Sequence, residues 1–200
     1  MFAPFVFDIY QMMKRILGLD ASTTTIGLSV IDYDDDSMTL VHHEYFKPPK
    51  KGHILERLAT VREFIFECME KYRPDDVALE DIILFMRGHS TAKTVSSLAV
   101  LNRTVGLAVF NQSGRIPHLL NVMKIRHALK RTKELPSKEE IPDLVAFHLG
   151  IDFPMKLNKK GKTMVENYDV ADAIAVALAF IKTNAVEKAP KKVLKRRRKA

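Results

Sequence analysis

Apolar positions cluster in KRILGLD, a short run closed by an acid, and predict a buried strand over residues 14–20. Two further runs, IGLSVIDY over Ile26–Tyr33 and MTLVHHEYF over Met38–Phe46, follow after short polar turns, so the three together predict an antiparallel meander. Ile54, Leu58, Val61, Ile65 and Met69 then recur every three or four residues, the spacing of an amphipathic helix that stops near Arg73-Pro74. VALEDI, residues 77–82, predicts another buried strand with an acid at its carboxyl end, and residues 91–112 read as a long helix low in charge. A fifth strand is expected over 118–122, basic helical segments around 124–131 and 138–149, and a basic loop over KLNKKGK, 156–162. Residues 170–181 close the pattern as a nearly all-apolar helix, entered through Asn167-Tyr168-Asp169. The order β-β-β-α-β-α-β-α-α-α predicts an α/β fold, a mixed five-stranded sheet flanked by helices. Right-handed crossovers lead from strand 3 to 4 and from 4 to 5.

Composition narrows the class. A chain of 200 residues, 46% apolar, can bury one sizeable core, expected over 14–183. No apolar run reaches the roughly 20 residues of a membrane span. The lone Cys68 can form neither an internal disulfide nor a thiolate zinc site and suits a reducing, cytoplasmic setting. Residues 1–13 have neither the basic start nor the cleavage site of a signal peptide, and Met12 and Met13 mark an alternative start. Net charge is +8, and the eight basic residues of 188–200 equal that whole excess. The body is therefore formally neutral. The basic character belongs to a tail over 184–200, suited to polyanion binding or to an address signal, nuclear in a eukaryotic host.

Four acids stand out. Asp20 and Glu80 each end an apolar strand, while Asp169 and Asp172 share one face at the start of the last helix. Each has an ordinary alternative: Asp20 as a turn residue before Ala21-Ser22-Thr23, Asp169 as a helix N-cap, Glu80 as a lysine's partner. Asp172 resists that treatment, because it sits on an apolar helix without capping it. If strands 1 and 4 are adjacent and parallel, Asp20 and Glu80 emerge side by side at the carboxyl edge, where α/β sheets hold their ligands, and the last helix can add the other two. Four carboxylates at close range need cations to stay ionised. Oxygen-only donors favour magnesium or manganese over zinc, and two such ions suit in-line phosphodiester hydrolysis.

With those residues in view, ILGLDASTTTIGLSVID resembles the first hairpin of the ribonuclease H-like superfamily. VALEDI resembles its glutamate-bearing strand, and YDVADAIAVALAF resembles the closing D-x-x-D helix of RuvC-type Holliday-junction resolvases. The likeness runs in element order over about 14–182. It implies a homodimeric, metal-dependent endonuclease for four-way DNA junctions. Asp20, Glu80, Asp169 and Asp172 would be its metal-binding catalytic carboxylates, and the helix over 91–110 much of its dimer contact. By the same likeness Lys124 and Lys138 hold phosphate near the scissile bond. Phe85 corresponds to an aromatic that enters the junction, or else is a core side chain. Arg126, Lys130, Arg131 and the loop lysines Lys159 and Lys160 add backbone contacts.

Three other readings remain. The same carboxylates could cut other branched DNA, RNA or RNA–DNA hybrids. LDASTTTIGLSV also resembles the first hairpin of actin-like sugar kinases and ATPases, but these need a second related half and a glycine-rich nucleotide site, and the chain has only 8 glycines. A non-catalytic DNA-binding module would gain by replacing buried carboxylates with neutral groups, and here all four are kept.

Overall fold

The structure, a computed structural model, describes residues 13–82, 91–153, 156–157, 161 and 163–188. Phe85, Lys159, Lys160, residues 1–12 and the tail beyond Lys188 lie outside the described residues. The elements are β1 (Lys14–Ala21), β2 (Ile26–Tyr33), β3 (Met38–Phe46), α1 (Ile54–Tyr72), β4 (Asp76–Glu80), α2 (Ala92–Ser113), β5 (His118–Leu120), α3 (Val122–Leu129), α4 (Ile141–Leu149) and α5 (Glu166–Lys188). Their order is the one the hydropathy pattern predicts. Among the described residues no helix is long and apolar enough to cross a membrane.

The strands form a single five-stranded sheet ordered β3-β2-β1-β4-β5, antiparallel through β1–β2–β3 and parallel at β1–β4 and β4–β5. The crossover from β3 does not return beside β3. It passes two strands and pairs β4 with β1, in a register that sets Leu19 opposite Leu79. Asp20 and Glu80, each one residue further on, therefore leave the sheet as neighbours.

Period-two alternation fixes which face they use. Leu17, Leu19, Val77 and Leu79 point into one core with Leu58, Val61 and Ile65 of α1 and Leu101 and Val105 of α2. Ile16 and Ala78 point into the other, against α3, α4 and α5. Asp20 has the parity of Ile16, and Glu80 that of Ala78, so both carboxylates belong to the α5 face. Helix α5 is buried from Val170 to Ile181 apart from a partly accessible Asp172, as expected of a helix apolar all round and enclosed between a sheet and other helices.

Two glycines and a serine let that helix lie on the strands. A Cβ on Gly27 would stand 2.1 Å from the Asp169 carbonyl oxygen, and one on Gly18 would stand 2.4 Å from that of Ala173. Between them Ser29 donates its hydroxyl to the Ala173 carbonyl at 2.9 Å in the dry interior. Gly27 is the direct cross-strand partner of Asp20. The residue that admits the helix thus sits beside the acid the helix must reach.

Several boundaries move for local reasons. Helix α3 starts at Val122 because the Asn121 side chain accepts from the Lys124 amide at 2.9 Å. Helix α4 begins only at Ile141, with Pro142 in its first turn. Helix α5 begins at Glu166, four residues before the apolar run. Asp169 is consequently inside the helix, and the reading of it as an N-cap is corrected.

Candidate active site

Asp20 from β1, Glu80 from the end of β4, and Asp169 and Asp172 from the first turns of α5 converge at the carboxyl edge of the sheet. Each remains partly accessible, yet each is costly to ionise. Loss of hydration pushes Asp20 well above the ordinary carboxylate range, and the charges of Glu80, Asp172 and Asp169 push the same way. Glu80 rises to about 7, from burial first and from Asp172 second, with Lys138 and Arg126 opposing. Asp172 and Asp169 are also raised by burial, and Lys138 is the main counterweight for both. The acids that the sequence offered singly are therefore one electrostatic unit.

The cation they share is Lys138. Its Nζ lies 3.1 Å from Asp172 Oδ2. Partial burial disfavours its charge, but Asp172, Asp20 and Asp169 outweigh that and hold its proton more firmly than in a free lysine. Arg126 acts on Glu80 and Asp172 from α3. Lys124 is two residues away, about 200° around the helix, and lines a surface hollow with His118, His127 and Phe180 instead. Lys130 caps the end of α3, and Arg131 stacks its guanidinium 3.6 Å from the Phe147 ring. Both line a second hollow with Leu135 and Leu144, away from the carboxylates.

Four contributors were not foreseen from the sequence. Buried Asn102 of α2 donates to the Glu80 carbonyl at 2.8 Å and fixes the strand end. Its signal was an amide inside the apolar stretch AVLNRTV. Thr25 donates its hydroxyl to Asp169. Asn167, also buried, donates to the Lys156 carbonyl at 2.8 Å and accepts from the Lys156 amide at 3.1 Å, tying the basic loop to the start of α5. Lys47, just past β3, pairs with Glu166 and lowers the pKa of Asp169 by its charge.

Among the described residues no three His, Cys, Asp or Glu side chains are gathered closely enough to enclose an ion. The donor chemistry nonetheless fits a hard divalent cation. All four groups are carboxylates that raise one another's pKa or are opposed by Lys138, and the cysteine, Cys68, is buried in the opposite core.

A mixed sheet in this order, with one acid at each of two adjacent parallel strand ends and a pair on a helix laid across them, matches the ribonuclease H-like arrangement that the sequence resembles. The match is closer than class. The sequence profile of the family Crossover junction endodeoxyribonuclease RuvC covers residues 16–180, and the chain belongs to that family. It is 30% identical to the enzyme of that name from Xanthomonas euvesicatoria pv. vesicatoria over 169 residues, 83% of this chain and 86% of the relative. To that of Dehalococcoides mccartyi it is 27% identical over 168 residues, 82% and 90% of the two. In fold it resembles T. thermophilus RuvC in complex with a Holliday junction substrate. That match has a TM-score of 0.63 at 24% identity and covers 86% of this chain and 96% of the other.

Proposed function

We propose that the chain is a metal-dependent endonuclease that resolves four-way DNA junctions by paired phosphodiester hydrolysis, with Asp20, Glu80, Asp169 and Asp172 as its catalytic carboxylates. The observation that carries this is their convergence on one sheet edge around Lys138. A pair of magnesium or manganese ions held by these carboxylates would supply the charge neutralisation and water activation of in-line phosphoryl displacement.

The protein's own groups set the stage for that chemistry. Lys138 neutralises Asp172, and a phosphate oxygen is an alternative partner for the same ammonium. Arrival of the DNA backbone draws Lys138 towards it and leaves Asp172 free for a cation. Arg126 supports the same backbone from α3, while Lys124, Lys130 and Arg131 contribute at longer range, and Lys159 and Lys160 are further candidates for phosphate contact. Asn102 and Thr25 hold Glu80 and Asp169 in place without touching substrate. A two-fold dimer would present two such sites to a symmetric junction. Its contact is assigned to α2, where Val100 and Leu107 share an exposed face, 48% and 57% accessible, with Phe110 a turn further on.

Incubating the protein with a synthetic four-way junction, a flap, an RNA–DNA hybrid and linear duplex, in magnesium or manganese, tests the reading. Paired symmetric nicks confined to the junction are expected. Preferential cutting of the hybrid or the flap would replace the substrate while keeping the site.

The C-terminal tail gives a second check. Deleting residues 189–200 removes seven basic side chains and should weaken junction binding and flatten its salt dependence, by about 0.9 in slope for each phosphate no longer neutralised. Cleavage at low salt should persist. Complete loss of turnover there would place the tail in the active site itself.

A further inference from the structure

The segment joining β3 to α1 reads KPPKKGH, residues 47–53, and nothing above assigns its lysines to DNA. Strand β3 runs in the same direction as β1, because each is antiparallel to β2. Its carboxyl end therefore opens on the edge that carries the four acids, on the side away from β5 and from Arg126 of α3, which acts on Glu80 and Asp172. Lys47 faces α5, where it pairs with Glu166 and acts on Asp169. Lys50 and Lys51 are exposed.

This loop is built rather than loose. Arg57 of α1 donates to the Pro49 carbonyl and, at 3.4 Å, to the Thr23 carbonyl in the β1–β2 turn, so one guanidinium joins the loop to the turn that follows Asp20. Gly52 takes a positive φ of 104° that an L side chain rarely adopts, and His53 then opens α1 with a reciprocal capping box with Glu56. Two prolines stiffen the approach. Exposed lysines on a pinned backbone lose less freedom on binding than lysines on a mobile tail.

We infer that Lys50 and Lys51 form a second phosphate-binding tract, which grips the DNA strand after it has crossed the carboxylates from the Arg126 side. The inference rests on the resolvase reading above. Strand β3 lies two strand spacings from β1, about 10 Å. With a rise of about 3.4 Å per nucleotide along one strand, the tract meets the backbone roughly three nucleotides from the scissile phosphate.

The test pairs the Lys50→Gln/Lys51→Gln variant with junctions carrying a single neutral methylphosphonate, placed in turn at each position up to five nucleotides either side of the cut. Wild type should lose affinity when the neutral linkage lies about three nucleotides out on one side. The variant should lose nothing further at that position, and its log Kd against log salt slope should be shallower by about 1 per lysine. Lys50→Arg/Lys51→Arg should restore both. Lys71→Gln, in the last turn of α1 at the far end of the helix, should leave the slope as in wild type. An unchanged slope in the Gln variant, or equal sensitivity of both proteins to every methylphosphonate, overturns the tract while wild-type cleavage stands. A wild type that neither binds nor cuts the junction overturns the resolvase reading and the tract with it.

Discussion

Asp20→Asn should bind a four-way junction at least as tightly as wild type and cut it on the order of 10³-fold more slowly. Binding is spared because the substitution removes negative charge from the path of a phosphate. Catalysis is lost because an amide cannot supply the anionic oxygen a hard cation requires. Glu80→Gln and Asp172→Asn should behave alike, and cleavage and binding assays on all three separate the two effects. Retained cutting by any one of them would remove it from the site.

The same substitution should also stabilise the metal-free protein, with a definite pH dependence. Asp20 and Glu80 are acids whose folded pKa is raised, Glu80 to about 7. The native state then binds more protons than the unfolded chain between the ordinary carboxylate range and about pH 7, so stability falls as pH rises through that window. Thermal unfolding in chelator should show wild type losing Tm from pH 5 to pH 8. Asp20→Asn should lose less and should exceed wild type at pH 8 by roughly 2–4 °C for each kcal/mol of strain relieved. A wild-type Tm that rises over this range would contradict the crowding of the carboxylates.

Gly27→Ala should be strongly damaging, with the shortest approach of any added methyl group at the described glycines. The new Cβ would lie 2.1 Å from the Asp169 carbonyl oxygen and 2.7 Å from its carbonyl carbon, both backbone atoms of a buried helix that cannot swing aside. Overpacking of this kind costs about 1–3 kcal/mol or more, a Tm loss of roughly 3–10 °C. Activity should fall further than stability explains, because relief comes only by lifting α5 and carrying Asp169 and Asp172 away from Asp20. Gly106→Ala is the matched comparison. Its Cβ would meet only Pro117 Cγ, at 3.7 Å, within helix α2, so a gain of about 0.5–1 kcal/mol is expected. Calorimetry and junction cleavage on the two variants decide the matter.

Much of this arrangement was legible because it depends on short-period patterns. The acids at the ends of KRILGLD and VALEDI break apolar runs at positions whose parity sends them to one face, and Asp169 and Asp172 are one turn apart in YDVADAIAV. The element order followed from the same runs. The start of α5 was hidden, because Asn167 and Tyr168 are weak helix formers, and the Asn167 side chain is held by the loop backbone at Lys156. The placement of Lys124 and Arg126 was likewise not readable from the sequence. Both lie on one short basic helix, and only its packing against α5 through Ile125 and Leu129 shows that Arg126 looks towards the acids. A strand glycine such as Gly27 announces a close approach but not the identity of the visitor.

The four acids come from the two ends of the fold. Asp20 is on its first strand, and Asp169 and Asp172 are on its last helix. On the function proposed above, a chain that has folded β1 to β4 holds only half of the catalytic carboxylates, because the other two come from α5. On that reading the site is completed in one event, the docking of α5 onto Gly18 and Gly27.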